Sequence, residues 1–325
     1  MSSSSRPEPA ENRRSRAREG LRAFGLSLST SERPPGAWAR RRWSEPGLDL
    51  RIVEPVELAE HWSGVASIGW RASIDGAPFL AEWGNGGDYR FVHGERPIGH
   101  LAADGALLRC ALHGEGDAAR WRVILDSVLF SVALLRGYEA LHAGAVVTPA
   151  GALAIAAGAG GGKSTLLAEL IDRGQALLSD DVVVLEPARA AARPLAHPGA
   201  PLMTVPTRAA QDLGPVIATL ADERWVAVPT HEEAIPLAAL VLLDRRPGLA
   251  TELLPVRAPL VPLLRSLLAF PRTPERERAR FELAGALAAR SPVWRLAADP
   301  SVDPRTLADL VLADLLTPTG AASLR

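Results

Sequence analysis

The chain has 325 residues, 47% of them hydrophobic and 22% charged, with a formal net charge of −1. This composition is typical of a globular protein with one large or two moderate domains. The balanced charge predicts neither nucleic acid nor an anionic membrane as a partner. The single cysteine excludes an intrachain disulfide framework, and together with the absence of an apolar signal segment it predicts a cytoplasmic location.

Two regions with different patterns precede the middle of the chain. Residues 1–45 are polar and rich in arginine, which predicts a disordered or weakly helical arm. Residues 46–120 contain short runs of Val, Ile, Phe, Trp and Tyr divided by Gly, Asp and Asn, which predicts a small β-rich domain. The predicted strands are 65–70, 78–83, 89–92 and 107–112, with a turn at 84–88. The tryptophans expected in its core are Trp62, Trp70 and Trp83.

The remainder, 121–325, is taken as one domain. It begins with apolar residues at helical spacing over 121–139, which predicts a helix. This stretch is too short to span a bilayer, and it contains the charged residue Asp126. A strand is predicted at 141–147, and residues 149–151 form a turn into the next strand. Loops are predicted after residue 187. The later predicted elements are a strand at 237–243, a helix at 278–289, a strand at 293–296 and a helix at 304–316.

The most informative stretch is 157–165, with the sequence AGAGGGKST. It follows the apolar run 152–156 and precedes apolar residues at helical spacing, which is the context that a P-loop requires. Its glycines allow backbone N–H groups to point at phosphate oxygens, and the helix start adds a positive dipole end. Lys163 can reach terminal phosphates and the Ser164 hydroxyl can bind Mg²⁺. The predicted phosphate-binding residues are Gly158, Ala159, Gly160, Gly161, Gly162, Lys163, Ser164 and Thr165.

Two details bear on this prediction. Ala157 occupies the first glycine position of the pattern, which is acceptable if its φ is negative. Lys163 is the only lysine in the chain, and all other basic residues counted with it are arginines. This contrast indicates that the site requires the compact ammonium group of lysine. The alternative is a glycine-rich turn that binds no ligand.

An acidic pair, Asp180 and Asp181, follows the predicted P-loop helix between two apolar runs. We expect the pair beside the terminal phosphate, because neighbouring parallel strands end at the same edge of a sheet. One carboxylate can accept the proton of an attacking hydroxyl and the other can hold Mg²⁺. The alternative is a solvated turn, and for His142 the alternative is a core histidine. His197 and His231 have no comparable context and are interpreted as structural.

Four short segments in this order resemble the catalytic domain of HPr serine kinase/phosphorylase: LHAG at 141–144, the glycine-rich loop, RG at 173–174 and LSDD at 178–181. They are most similar to the HPr-kinase-like proteins often encoded near genes for ribosomally made, modified peptides. The resemblance implies an α/β fold. Its P-loop kinase core would be akin to phosphoenolpyruvate carboxykinase and preceded by a small β-rich domain.

The resemblance also implies ATP and Mg²⁺ as cofactors and a role for each matching residue. Asp180 would be the general base, Asp181 and Ser164 would bind the metal, and His142 would lie near the transferred phosphoryl group, with Lys163 on the phosphates. Thr165 stands where HPr kinases usually have Glu, and their signature after the Asp-Asp strand is missing, so an acceptor other than HPr is expected.

The leading prediction is therefore a kinase that transfers a phosphoryl group to a hydroxyl, expected on a serine of a peptide or protein. Two alternatives stay open at this point. One is a nucleotide-binding accessory or sensor protein without transfer activity, and the other is a small-molecule kinase. A homo-oligomer is also left open.

Overall fold

A computed structural model describes residues 18–36, 38, 41–43, 47–74, 77–111, 121–187, 192–207, 212–220, 223–270 and 273–316. The described strands form three sheets. The first sheet has the strand order β3-β1-β2-β4-β9-β8-β7-β6-β5. Its elements are β1 (Arg18–Ala23), β2 (Leu26–Thr30), β3 (Arg41–Trp43), β4 (Leu48–Val53), α1 (Pro55–Glu60), β5 (Val65–Ile74), β6 (Ala77–Gly84), β7 (Tyr89–His93), β8 (Arg96–Leu101) and β9 (Leu107–Ala111).

The predicted N-terminal arm is wrong where the structure describes it, because residues 18–36 and 41–43 contain three strands. Residues 1–17, 37, 39–40 and 44–45 of the arm lie outside the described part of the chain. Strands β1 and β2 form a hairpin in which Leu21 lies opposite Leu28 and Ala23 opposite Leu26, all four buried. This period of two is typical of a half-buried strand. The prediction was wrong because the arginine-rich composition of the wider stretch obscured an alternation only a few residues long.

The predicted tryptophan core of the first sheet is also corrected. Phe79 and Phe91 are fully buried and stack at 6.3 Å between ring centroids. Trp62 and Trp83 are only half-buried, and the guanidinium carbon of Arg90 lies 4.6 Å from the centroid of the Trp62 ring. The side chain of Trp70 lies outside the described residues.

A helix packs against the first sheet and joins it to the rest of the chain. It contains a π-helical segment, Ile124–Val128, followed by the α-helical turns of α2 (Leu129–Leu135). Its side chains belong to the same hydrophobic core as those of the β1–β2 hairpin. The helix ends earlier than the predicted 139, because the next strand already begins at Glu139.

The second sheet has the strand order β10-β14-β15-β19-β12-β11-β13, with β21 and β20 added beside β19. Its strands are β10 (Glu139–His142), β11 (Gly144–Thr148), β12 (Gly151–Ala157), β13 (Ala176–Ser179), β14 (Val182–Glu186), β15 (Leu195–Ala196), β19 (Ile235–Arg245), β20 (Glu252–Pro255) and β21 (Val293–Ala298). The third sheet, β16-β18-β17, consists of β16 (Leu202–Pro206), β17 (Val216–Leu220) and β18 (Glu223–Ala227). The sequence had predicted loops where β15 to β18 lie.

Within the described residues, four helices cover the second sheet on both faces. They are α3 (Lys163–Asp172), α4 (Leu260–Ser266), α5 (Pro274–Arg290) and α6 (Pro304–Leu316). Alternate residues of β12 face opposite cores: Leu153 and Ile155 pack with α3 and α6, whereas Ala152 and Ala154 pack with α4 and α5. The fold is therefore mixed α/β, with large sheets and few helices. None of the described helices has the length and apolar character needed to cross a bilayer.

Two expectations about strand pairing are corrected. The predicted strand 141–147 is interrupted at Ala143 and forms two strands, because β10 pairs with β14 whereas β11 pairs with β12 and β13. The strand that precedes the acidic pair, β13, is parallel to β12 but not its neighbour, since β11 lies between them. The parallel neighbour of β12 is β19. The C-terminal ends of β12 and β13 still meet at one edge of the sheet.

Candidate active site

The glycine-rich loop connects β12 to α3 in a conformation that depends on its glycines. Gly160 and Gly162 have φ values of 68° and 91°, in the region that side chains with a Cβ avoid. A Cβ on Gly161 would lie 2.8 Å from the carbonyl oxygen of Gly158. Ala157 is not among the described non-glycine residues with positive φ, so the substitution of the first glycine leaves the loop unstrained there.

Lys163 is the first residue of α3 and is buried, with 8% of its surface exposed. Its Nζ lies 2.6 Å from Oδ1 of Asp181. Burial lowers the pKa of Lys163, but the charges of Asp180 and Asp181 outweigh this effect and the pKa is raised above its ordinary value. The amine is therefore a stable cation beside the loop.

Asp180 and Asp181 form the corner between β13 and β14, as the sequence predicted. Asp181 has φ of 62°, a left-handed conformation that is uncommon outside glycine. Nδ1 of His142 lies 3.7 Å from Oδ1 of Asp181. Burial alone raises the pKa of Asp181, but the charges of Lys163 and His142 and the hydrogen bond from Lys163 reverse this and lower it.

Asp180 has a different environment. Its Oδ2 accepts a hydrogen bond of 2.9 Å from the backbone N–H of Thr204 in β16. Its Oδ1 is buried and has no hydrogen-bond partner among the described residues. Burial raises the pKa of Asp180, although the charge of Lys163 opposes the shift. A buried carboxylate oxygen without a partner is costly, and it is also able to accept a proton.

Two cavities meet at this corner. The larger one, of about 640 Å³, is lined by the loop residues 158–165 together with His142, Asp181 and Arg245. We call it the loop cavity, and its volume is in the range of small-molecule sites. The smaller one, of about 160 Å³, is lined by Asp180, Asp181 and Ser164 from this side. We call it the inner cavity.

A magnesium site is compatible with these residues without a cage of protein ligands. The described residues contain no group of three or more His, Cys, Asp or Glu side chains placed to hold a metal. Ser164 and Asp181 line both cavities and offer one hydroxyl and one carboxylate. Mg²⁺ is typically bound by one or two carboxylates with phosphate oxygens and waters, so these two oxygens fit the ion.

Several site residues were missed from the sequence. Thr204 and Glu223 lie on β16 and β18, in a region predicted to be loops, and Arg245 ends β19. None of them belongs to a local motif, because contacts between distant elements bring them to the loop. His197 and His231, interpreted as structural, line neither cavity; His197 packs against Tyr138 and lies 3.4 Å from Glu186.

Comparisons with known proteins give little beyond this geometry. No protein-family model matches the chain, and no curated protein matches its sequence. Among solved structures, the chain is similar to the HPr(Ser) kinase/phosphatase from Coxiella burnetii, with 17% identity and a TM-score of 0.30. The similarity covers 54% of this chain and 94% of that one. A similarity at this level carries no inference about activity.

Proposed function

We propose that the protein is an ATP- and Mg²⁺-dependent kinase that transfers the γ-phosphoryl group to a hydroxyl, expected to be a serine of a peptide or protein. The observation that carries the proposal is the position of the acidic corner. Asp181 contacts the P-loop lysine at 2.6 Å, and Asp180 beside it keeps an oxygen without a hydrogen-bond partner among the described residues.

The nucleotide phosphates would lie in the loop cavity. The N–H groups of the loop and the start of α3 favour an anion there, and Lys163 adds a full positive charge. Bound Mg²⁺ would neutralise charge on the phosphates, with Ser164 and Asp181 as its protein ligands. His142, which is near Asp181, would lie beside the transferred group.

Asp180 is the proposed general base, and this role follows from its burial. A raised pKa brings a carboxylate nearer to the operating pH, where general-base catalysis is most efficient. Asp180 lines the inner cavity whereas the glycine-rich loop lines the loop cavity, so the acceptor hydroxyl and the phosphates would occupy two adjoining cavities. The hydroxyl proton would pass to Asp180 as the oxygen forms its bond to phosphorus and ADP leaves.

The same feature favours a kinase over an accessory protein that only binds nucleotide. Nucleotide binding requires the glycine-rich loop and Lys163. It does not require a carboxylate, such as that of Asp180, with a buried oxygen that lacks a hydrogen-bond partner among the described residues. Such a group costs free energy on folding. Sites that carry this cost are commonly functional.

Two substitutions separate binding from transfer. Lys163→Ala should abolish ATP binding, measured by isothermal titration calorimetry, because the cavity loses its only lysine. Asp180→Asn should bind ATP with little change and lower phosphoryl transfer by about 10²- to 10⁴-fold, the usual contribution of a general base. Transfer is measured with γ-labelled ATP and a library of serine peptides.

The matched control is Asp172→Asn, at the exposed C-terminal end of α3, which should change neither property. Transfer by Asp180→Asn at the wild-type rate would refute the role of Asp180. A wild-type protein that binds ATP but labels no member of the library would favour the accessory role.

A further inference from the structure

Besides the acidic corner and Ser164, the inner cavity is lined by residues from distant parts of the chain. Phe24 comes from the turn between β1 and β2, Arg122 and Asp126 from the helix that precedes α2, and Trp225 from β18 of the third sheet. The turn between the first two strands of the first sheet thus lines the same cavity as Asp180 and Asp181. No motif in the sequence singled out these residues.

The inner cavity is placed where an acceptor has to be. Ser164, Asp181, Thr204 and Glu223 line both cavities, so the two adjoin each other at the end of the P-loop. Asp180 lines only the inner one of the two. A hydroxyl in the inner cavity would therefore have the proposed base beside it and the proposed phosphate site in front of it.

Its volume limits what can enter. A protein cavity of about 150 Å³ is known to accommodate benzene, so about 160 Å³ holds about six non-hydrogen atoms. A seryl residue has this size, whereas the side chain of a tyrosine is larger. Phe24 and Trp225 of the lining are buried, with 3% and 2% of their surface exposed. The cavity therefore extends below the surface, and a serine has to protrude on an extended segment to enter it.

The charged side chains that line the inner cavity indicate which residue type should lie next to the serine in the substrate. Nη2 of Arg122 lies 2.8 Å from Oε2 of Glu223, and Nε lies 3.5 Å from Oδ2 of Asp126. Arg122 thus contacts two carboxylates of the lining, and Asp180 and Asp181 add two more, of which Asp181 is paired with Lys163. Asp126 and Glu223 have 37% and 41% of their side chains exposed, so negative charge is accessible to an entering ligand.

We propose that the inner cavity is the acceptor site and that it takes a serine in an extended peptide segment with a basic residue next to it. The inference rests on the proposed kinase function and narrows its substrate class. Serine Oγ forms the new bond to the γ-phosphorus, its proton goes to Asp180, and the bond between the γ-phosphorus and the bridging oxygen breaks to release ADP. The basic side chain is attracted by Asp126 and Glu223.

The test uses the full chain, γ-labelled ATP and a set of short peptides that differ in one feature each. The peptides contain serine flanked by arginine, by alanine or by glutamate, and the arginine peptide is also made with tyrosine in place of serine. We expect kcat/KM to be highest for the arginine-flanked serine peptide, at least tenfold lower for the glutamate-flanked one, and no labelling of tyrosine.

Asp126→Asn gives the second readout. It should lower the preference for arginine over glutamate severalfold by raising KM for the arginine peptide, while the KM for ATP stays unchanged. Asp172→Asn is the matched control and should retain the wild-type preference. A merely structural role of Asp126 would lower activity on all peptides equally.

The outcomes separate this inference from the proposed function. Equal labelling of arginine- and glutamate-flanked serines, or labelling of tyrosine, overturns the inference and leaves a kinase. Labelling of free serine or 2-aminoethanol but of no peptide also overturns it, in favour of a small-molecule acceptor. ATP binding that depends on Lys163 without transfer to any of these compounds overturns both.

Discussion

At the scale of the residue, the strained backbone of Asp181 is what brings its carboxylate to Lys163. Asp181 lies between β13 and β14 with φ of 62°, and its Oδ1 is 2.6 Å from Nζ of Lys163. Strained conformations in folded proteins cluster at functional sites, because the surrounding structure compensates for their cost. An ordinary turn residue at this position, such as glycine, would remove the strain and the charge together.

Comparison of Asp181→Ala with Asp181→Gly isolates the backbone contribution. Both variants lose the carboxylate, but only alanine has a Cβ that opposes the left-handed conformation. We expect the alanine variant to have a free energy of unfolding about 1 kcal/mol below that of the glycine variant. Urea denaturation at pH 7 measures the difference. Equal stabilities would mean that the corner adopts another conformation when the carboxylate is absent.

At the scale of the element, the hairpin of β11 and β12 sets the position of the P-loop strand. Gly151 begins β12 with φ of 125°. A Cβ at this position would lie 2.5 Å from the backbone oxygen of Pro236 in β19. Backbone atoms cannot move aside as a flexible side chain can, so glycine is required both by conformation and by the close approach of the parallel neighbour.

Gly151→Ala should therefore lower the free energy of unfolding by about 2–3 kcal/mol, through strain at φ and displacement of β19. The matched control is Gly285→Ala in the exposed middle of α5, where a Cβ would meet nothing within 4 Å. That change should stabilise the protein by about 0.5–1 kcal/mol, since alanine is the better helix former. Urea denaturation of both variants provides the measurement, and loss of stability in both would contradict this account.

At the scale of the whole molecule, a buried contact between a carboxyl group and a guanidinium group joins α5 to the first strand of the second sheet. Glu139 at the start of β10 is fully buried, and Nη2 of Arg276 lies 2.9 Å from its Oε1. No side chain or backbone group of the described residues donates an aligned hydrogen bond to either carboxyl oxygen of Glu139. Burial raises the pKa of Glu139 to about 7, in spite of the charges of Arg276 and Arg280.

This shift makes the stability of the whole chain depend on pH. The folded protein holds the Glu139 proton up to about pH 7, whereas the unfolded chain releases it near 4.5, so the free energy of unfolding should fall as the pH rises between these values. The fall amounts to at most about 3 kcal/mol and stops above pH 7. The free energies of unfolding of the wild type and of Glu139→Gln are measured by urea denaturation between pH 4.5 and 8.5. We expect the difference between the two proteins to show this fall.

Glu233→Gln, at an exposed position between β18 and β19, is the control and should leave the pH dependence of the wild type unchanged. A Glu139→Gln protein with the same dependence as the wild type would show that Glu139 titrates normally.

The amino-acid sequence by itself predicted those features of the protein that depend only on a few neighbouring residues. The glycines at 158–162, Lys163 and the corner at Asp180 and Asp181 could be predicted because turn geometry and helix starts depend on local residue types. The helix at 304–316 was predicted with its observed bounds for the same reason, since periodicity and an N-terminal proline are local signals. The roles given to these residues remain predictions.

Only the tertiary structure decided which distant residues complete the site. The β1–β2 hairpin, the sheet of β16 to β18 and the interruption at Ala143 depend on pairings between segments far apart in sequence, so no local pattern specified them. The two adjacent aspartates are equivalent in sequence, yet one pairs with Lys163, whereas the other is half-buried and accepts a hydrogen bond from the backbone N–H of Thr204. Their difference comes from burial and from neighbouring charges, which exist only after the sheets have packed together.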